Sequence, residues 1–571
     1  MCGIFGMIRQ SPFSSNELLQ GLKRLEYRGY DSFGFASNTG ELTKHIGSIS
    51  DFIDKINQSE ATTGISHTRW ATHGGVTLQN SHPHSDCNER FFVVHNGIIE
   101  NYEELKNELL SRGHVFKSQT DTEVIPHFIE EHVKSGLSIE DAIKMFIKIS
   151  KGTFAVLLME KNKNIIYAMK RDSPLVLGLM KDGFAIASDI YAFSNITNRV
   201  IFFDDNEYAI INQNDFGIYD SYGKQIKKDF MTFSWNKEEN LGNYEHYMIK
   251  EIIEEPVAIE RLINSLNNEQ HDTVEKISSL IKIRKVLFVA CGTAYHASLL
   301  GTSFLRFAGI NADAVIASEY QNYMADKNTC VIAVSQSGET MDVIKALQAA
   351  RASSAVICSI VNVPHSTIER MSSLSINIKA GQEICVASTK VFTGQAAAIL
   401  YLSGAKIVTL QKLLDSVIKQ KDVIKKISED LCKARDIYVL GKSEGYALAR
   451  EIALKIKEIS YIHAEGMMAG ELKHGTIALI EPGVPVISII FNNNEDMISS
   501  TKETEARGAD IFAITNKPYP GKWNFVIDSE DKKLFFIAAG TVGQLIAYYT
   551  AKALGRPIDK PRNLAKSVTV K

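Results

Sequence analysis

Cys2 stands second in the chain, where removal of Met1 leaves its thiol beside its own α-amino group. An α-amine has an unperturbed pKa of about 7.7–8.0 and can act as general base toward that thiol. Alone, such a cysteine is more often a small inert apolar residue. Three other segments carry the parts that hydrolysis of a glutamine amide requires. HTRWATHG brings Arg69, whose guanidinium fork matches an α-carboxylate. HNGIIEN brings Asn96 and Gly97, a side-chain amide and a backbone N–H that can meet a developing oxyanion. SQTDTEV brings Asp121, a carboxylate suited to an α-ammonium. Taken singly, each has a plain alternative: a surface arginine, an Asn-Gly turn, an N-capping aspartate.

A second set of residues lies in the other half. SQSGET follows the apolar run CVIAV and opens the helix MDVIKALQAAR. Free N–H groups at a helix start, with the hydroxyls of Ser335, Ser337 and Thr340 and the amide of Gln336, make an uncharged phosphate cradle. Helix capping by Ser and Thr is an equally good account. Further on, Glu451, Lys455 and Glu458 fall at i, i+4 and i+7, on one helix face. Their spacing alone favours a solvated salt-bridge face. A positioned carboxylate is also what moving a proton between adjacent ketose carbons demands. Near the C-terminus, RNLAKSVTV carries Lys566, whose amine suits a Schiff base with an open-chain ketone. An ordinary exposed terminal lysine is the competing account.

The elements that must hold these residues follow from length and pattern. With 571 residues the chain exceeds a single core, and two to four domains are expected. Up to about Trp235, apolar strands such as FFVVHNG and GTFAVLLME alternate with helices such as NYEELKNELLSRG, where Gly113 suits a C-cap. The charged stretch WNKEENLGNYEHYMIKEIIEEP then reads as a connector. Beyond it a strand–turn–helix plan appears twice, in KVLFVACGTAYHASLLGTSF and in DIYVLGKSEGYALAREIALK. Each copy leads to a second strand, VIAVSQS or PVISIIF, and strands alternating with helices imply a parallel sheet covered on both faces. The expected division is residues 2–238, a linker at 239–275, repeats at 276–415 and 428–560, and a tail at 561–571 that Pro557 and Pro561 keep extended.

Between Lys533 and Lys552 no residue is charged, a length borderline for a membrane span. Gly540, Thr541, Gly543, Gln544, Tyr548 and Tyr549 within it favour a buried core helix. A net charge of −3 offers no reason for nucleic acid or an anionic membrane as partner. Seven scattered cysteines without a C-x-x-C pair predict neither a zinc site nor a redox pair, and their odd number fits a reducing, cytoplasmic setting. The start MCGIFGMIRQ has no basic segment before its apolar run, so no signal peptide is expected.

CGIFG, LEYRGYDS, HTRWATHG, HNGIIEN and the T-D-T-E run, in this order, resemble the N-terminal-nucleophile glutamine amidotransferases. The resemblance implies Cys2 as nucleophile, Asn96 and Gly97 as oxyanion hole, and Arg69 and Asp121 as glutamine clamps. It also implies Thr72 and His73 near the glutamine, Trp70 as a gate and Arg28 as a structural neighbour. SQSGET, CGTAYHA and VASTK resemble the sugar isomerase (SIS) domains of the branch that aminates fructose 6-phosphate. By that likeness Cys291, Gly292, Thr293, Val386 and Ser388 contact the sugar or its phosphate. Glu458 becomes the isomerising base with Lys455 beside it, His474 the ring-opening group, and Lys566 the Schiff-base lysine. Ala294 departs from the serine of many relatives, which implies slightly weaker phosphate binding. The implied fold is a four-layer αββα glutaminase domain followed by two doubly wound SIS domains. The implied assembly is a homodimer through the SIS half, with no metal or redox cofactor. An ATP-binding SGG-x-DS loop or an acidic diphosphoribosyl loop, as a different ammonia acceptor would need, is missing from the sequence. A non-catalytic sugar-phosphate sensor is disfavoured by Glu458, His474 and Lys566 together.

Overall fold

A computed structural model describes residues 2–71, 73–193, 195–233 and 240–568. The chain divides into two compact units, residues 1–238 with 567–571, and residues 239–566. Met1 and Thr72 lie outside the described residues, as does the expected junction at 238/239.

The first unit is built on two sheets of eight and seven strands, all antiparallel in their pairings. Alternation along the strands decides which side each residue covers. Ile4 and Ile8 of the strand Gly3–Ser14 point between the sheets, where they meet Phe92, Val94, Leu157 and Ile166 of the other sheet. Phe5 and Met7, the intervening residues, pack outward with Leu18, Leu19 and Leu22 of the helix Ser15–Lys23. On the far side, Phe91, Val93, Val156 and Leu158 receive Ile125 and Phe128 of the helix Val124–Lys134, with Ile143 and Phe146 of Ile139–Ile149. The layers run helix, sheet, sheet, helix, which is the expected αββα sandwich.

The second unit holds two five-stranded sheets, parallel throughout. The first uses Lys285–Ala290, Ala312–Ile316, Thr329–Ser335, Val356–Val361 and Leu374–Asn377. The second uses Asp436–Gly441, His463–Met468, Pro485–Ile490, Asp510–Thr515 and Trp523–Val526. Both place their strands in the order second, first, third, fourth, fifth, so the repeat in the sequence is a repeat of topology. In such sheets ligands bind beyond the carboxyl ends where the order reverses, between the first and third strands. Cys291–Thr293 and the SQSGET segment both sit at that point in the first sheet.

The stretch expected as connector is more structured than its charge implies. It carries the helices Tyr247–Ile253, Glu255–Asn267 and His271–Ile283. Met248, Ile252, Ile259, Leu262 and Leu266 recur at helical spacing and enter the core of the second unit, and the charged Lys250, Glu251 and Glu255 among them are buried as well. The helix Lys532–Ala553 is long and apolar enough to cross a membrane by composition, yet 94% of its apolar window is buried inside the protein. Its Phe535, Ala539, Val542 and Leu545 belong to the same core, as its small and polar residues predicted.

Candidate active site

In the first unit the sheet edge brings the sequence-flagged residues together. Gly3 pairs with Thr68, so Cys2 and Arg69 leave neighbouring strands side by side. The Trp70 N–H points at the Cys2 Sγ, 3.4 Å away. Apolar surroundings push the thiol pKa up, while the Trp70 N–H and the Arg69 charge pull it down. The Arg69 fork is aimed by three carbonyls, those of Gly75 at 3.1 Å, His73 at 2.6 Å and Gly74 at 3.1 Å. The His73 ring meets Tyr102 edge-on, and its Nδ1 is buried without a partner among the described residues. Asp31, which the motifs did not single out, accepts the Ala71 N–H at 2.8 Å and so anchors the loop beyond Trp70.

Asn96 and Gly97 lie within the strand Phe91–Ile99 and not in a turn. The Asn96 amide nitrogen donates to the Cys2 carbonyl at 3.0 Å. His67 fixes which end of that amide faces Cys2. Its Nε2 sits 3.1 Å from the His95 carbonyl and 3.2 Å from Asn96 Oδ1, two acceptors, so Nε2 must carry the proton. Burial chiefly, with the Arg69 charge, drops the His67 pKa to about 3, so the ring is neutral and its Nδ1 stays unpaired. Gly97 has φ +130, and a Cβ there would meet the Thr153 carbonyl oxygen at 2.1 Å. Only glycine lets this strand stay paired with Gly152–Glu160 while presenting its N–H. Asp121, buried, accepts the Ile99 N–H at 2.8 Å. Arg28 is fully buried, ion-paired with Asp189 and bonded to Tyr27, as a supporting residue would be.

In the second unit, Thr340 is the N-cap of the helix Met341–Ala352 but makes no capping hydrogen bond. Its hydroxyl instead lies 3.2 Å from Ser335 Oγ, which accepts the Gly338 N–H at 3.0 Å. Among the described residues no side chain caps the helix start, so its N–H groups are available to an anion. Ser337 Oγ accepts the Glu339 N–H at 3.1 Å, and Gln336 Oε1 is buried without a partner. Gly338, at φ +66, lies against Ser366, so its turn too tolerates no side chain.

Glu451 and Lys455 are buried, and Glu458 is half-buried. They lie on the helix Glu444–Ser460 as a chain in which Lys455 bridges the two carboxylates. Glu451 also accepts Thr293 Oγ1 at 3.1 Å and the His296 Nδ1–H at 2.7 Å, tying the CGT loop of the first sheet to the helix of the second. Burial opposes its ionisation, but Lys455, His296 and Thr293 outweigh that and hold its pKa below the usual range. Glu458, the chain's outer member, keeps 19% of its side chain accessible.

Lys566 is no exposed terminal lysine. Its ammonium is buried against Glu383, which also accepts Ser388 Oγ at 2.8 Å and the Thr389 N–H at 2.8 Å. Burial would raise the Glu383 pKa, and these partners, led by Lys566, bring it below normal. The Val386 N–H is spent on the Asp559 carbonyl at 3.1 Å, a bond that holds the chain leading to Lys566 beside the VAS segment. The Glu383 charge also reaches Lys455, which places the two clusters in one neighbourhood. Cys291, its thiol pushed up to about 11 by burial and the Asp342 charge, starts the adjoining helix Gly292–Phe307. His474 is exposed at the end of the short helix Ala469–His474, with no partner among the described residues. Glu383 and His296 were missed because neither belongs to a periodic or spaced group. Only their burial, invisible in sequence, marks them.

Comparison with known proteins finds two kinds of domain along the chain. A SIS domain model matches residues 279–403 and 430–519, and a glutamine amidotransferase domain model matches 67–195. Glutamine–fructose-6-phosphate aminotransferase [isomerizing] of Sulfurisphaera tokodaii is 43% identical over all of both chains. The proteins of that name from Thermococcus kodakarensis and Bartonella quintana are 40% and 38% identical, again over all of both chains. Among solved structures, the C-terminal domain of glucosamine-fructose-6-phosphate aminotransferase from Francisella tularensis aligns at TM-score 0.51 and 29% identity. That match covers 57% of this chain and all of the other.

Proposed function

Since the chain belongs to the isomerising glutamine–fructose-6-phosphate aminotransferase family, we propose that it hydrolyses L-glutamine and uses the ammonia to convert D-fructose 6-phosphate to D-glucosamine 6-phosphate. The product is the entry to hexosamine and UDP-N-acetylglucosamine synthesis. One observation carries the reading. Cys2 lies beside an oriented Asn96 amide in one unit, and an uncapped helix start with a Glu451–Lys455–Glu458 ion-pair chain lies in the other.

In the glutaminase half, the Cys2 sulfur attacks the side-chain amide carbon of glutamine. The Asn96 amide and Gly97 N–H take up the oxyanion charge, and Arg69 and Asp121 hold the two ends of the amino acid. Ammonia leaves, and water hydrolyses the thioester to glutamate. Thr72, outside the described residues, His73 and Trp70 complete the assignment on family likeness. In the SIS half, Ser335, Gln336, Ser337 and Thr340 hold the phosphate, with Cys291, Gly292, Thr293, Val386 and Ser388 around the sugar. His474 opens the ring. Lys566 forms a Schiff base at C2 once its pair with Glu383 opens, and ammonia displaces it. Glu458 then carries the proton from C1 to C2, with Lys455 setting its charge. The working enzyme is a cytoplasmic homodimer joined through the SIS half. The seven free thiols, including the buried Cys330 and Cys358 at 3.8 Å, suit a reducing compartment.

Cys2→Ala tests the reading. Glutamate release and amino-sugar formation from glutamine should both vanish, while fructose 6-phosphate still binds. Full glutamine-dependent synthesis by this variant overturns the nucleophile assignment.

A further inference from the structure

A second cluster in the first unit takes no part in this chemistry. Cys87 lies in the turn between the short strand His84–Ser85 and Phe91–Ile99. His114 follows the helix Tyr102–Ser111, and His127 with Glu130 lie one turn apart on the helix Val124–Lys134. Their ligand atoms converge. His114 Nδ1 and His127 Nδ1 are 3.2 Å apart, and Cys87 Sγ is 3.6 and 3.5 Å from them. Glu130 Oε2 is 3.2 Å from the first nitrogen and 3.6 Å from the second. All four atoms fall within 4.8 Å of one another.

Five of the six edges, at 3.2–3.6 Å, match a tetrahedron around an ion, and the sixth, between Cys87 Sγ and Glu130 Oε2, lies within 4.8 Å and closes by a small turn of the exposed Cys87 side chain. Zinc bonds of about 2.0–2.1 Å to nitrogen and 2.3 Å to sulfur require edges of about 3.3 Å between nitrogens and about 3.6 Å from nitrogen to sulfur. The protons point the same way. His114 Nε2 is hydrogen-bonded to Glu131 Oε2 at 3.0 Å, while His127 Nε2 lies 3.7 Å from Glu123 Oε1, an ion-pair distance beyond hydrogen-bond reach. A proton on each Nε2 leaves both Nδ1 lone pairs aimed at a carboxylate oxygen and a sulfur, four donors of electron density around one point. Carboxylates behind the distal nitrogens are the usual support for metal-bound histidine. The other Glu130 oxygen is occupied by Asn88 at 2.6 Å and Lys134 at 3.2 Å, while Oε2 accepts the Cys87 N–H at 3.1 Å and keeps a second lone pair to serve as a single-oxygen ligand.

We propose that Cys87, His114, His127 and Glu130 bind one Zn²⁺ as a closed structural site. A sulfur, two imidazoles and a carboxylate in tetrahedral array select zinc over calcium or magnesium, which take oxygen-rich shells. Binding releases the thiol proton. Four protein ligands leave no position for substrate. The ion ties the Cys87 turn and the His114 segment to the helix that directly follows the Asp121–Glu123 turn. This runs against the expectation drawn from the missing C-x-x-C pair. The ligands come from three separate segments, so no short spacing displays them.

The test is metal content of the full chain after growth in zinc and exhaustive dialysis, read by elemental mass spectrometry. Wild type and Cys2→Ala should each hold one zinc per chain, which separates this site from the thiol of the proposed glutaminase. Cys87→Ser, in a surface turn, should hold no zinc after the dialysis, and Glu131→Gln should lose zinc affinity by about 10–100-fold. Cobalt in place of zinc should give a thiolate charge-transfer band and intense tetrahedral visible bands in wild type, the former absent in Cys87→Ser. A chelator should lower the Tm of wild type and leave that of Cys87→Ser unmoved. Wild type holding no more zinc than Cys87→Ser, or cobalt spectra identical in the two, overturns the site.

Discussion

Gly97→Ala is the sharpest test of the glutaminase geometry. At φ +130 an L residue is strained by about 1–3 kcal/mol before any contact is counted. The new methyl would also start 2.1 Å from the Thr153 carbonyl oxygen and 2.9 Å from the Phe154 Cα. Ordinary van der Waals contact therefore demands that the strand retreat from Gly152–Glu160 by about 1 Å. The Gly97 N–H and the neighbouring Asn96 amide move with it. Loss of one oxyanion donor costs about 10²–10³ in kcat, and a displacement near 1 Å costs about 10²-fold by itself. Glutamine hydrolysis, followed as glutamate release, should fall at least about 10²-fold with little change in KM. Fructose 6-phosphate binding, measured by calorimetry, should match wild type and report an intact second unit. Asn96→Ala, which introduces no clash, should lose a comparable factor and guards against a folding failure of the glycine variant. If Gly97→Ala hydrolyses glutamine within threefold of wild type, Gly97 is not an oxyanion donor.

Glu451→Gln should depress amino-sugar formation at least about tenfold while sparing glutamate release, since Lys455 would then pair with Glu458 alone and draw down its basicity. Because Glu458 still neutralises Lys455, the stability loss should fall short of the about 3–5 kcal/mol of an orphaned buried charge, as thermal unfolding can measure. The folded Glu451 pKa is depressed, so its stabilisation is present above the unfolded value of 4.5 and lost as pH falls through the folded one; the variant's acid limb should be shallower. Glu255 behaves oppositely. Burial raises its pKa to about 7, against the pull of the Thr541 and Thr393 hydroxyls. The fold retains a proton that the unfolded chain releases, so stability should decline by roughly 3 kcal/mol as pH rises from about 4.5 to 7. Glu255→Gln should flatten that decline and raise the urea midpoint at pH 8 above wild type; an unchanged slope would show that Glu255 is ionised in the fold.

Local sequence carried the contiguous parts of the molecule well. Alternation in FFVVHNG and the two strand–turn–helix copies led to the two sheet types, and SQSGET sat where a parallel sheet leaves its binding crevice. Residues that act through tertiary contact were not readable. Spacing put Glu451, Lys455 and Glu458 on one face but could not say that Glu451 is buried against Thr293 and His296. Lys566 read as a tail lysine because nothing near it announces Glu383, 183 residues earlier. His67 orients Asn96 across strands that no motif connects. The helices of 247–283 were obscured for the reverse reason, since their charged residues dominate the composition and hide a helical apolar stripe.

The shared strand order of the two SIS sheets bears on what symmetry forbids. Two identical chains facing each other through the helices Gly292–Phe307 and Glu444–Ser460 would have to repeat every substitution on both sides. Joined in one chain, the copies are free to differ. At the junction after its third strand the first copy has Ser335, Ser337 and Thr340, hospitable to an anion, where the second has Asn492 and Asn493 followed by the carboxylates Glu495 and Asp496, whose charge repels one. In return the second copy supplies Glu451, Lys455 and Glu458, and the first answers with Thr293 and His296. An acid–base pair and an anion cradle are asymmetric tools. Fusion lets a twofold architecture hold each of them once.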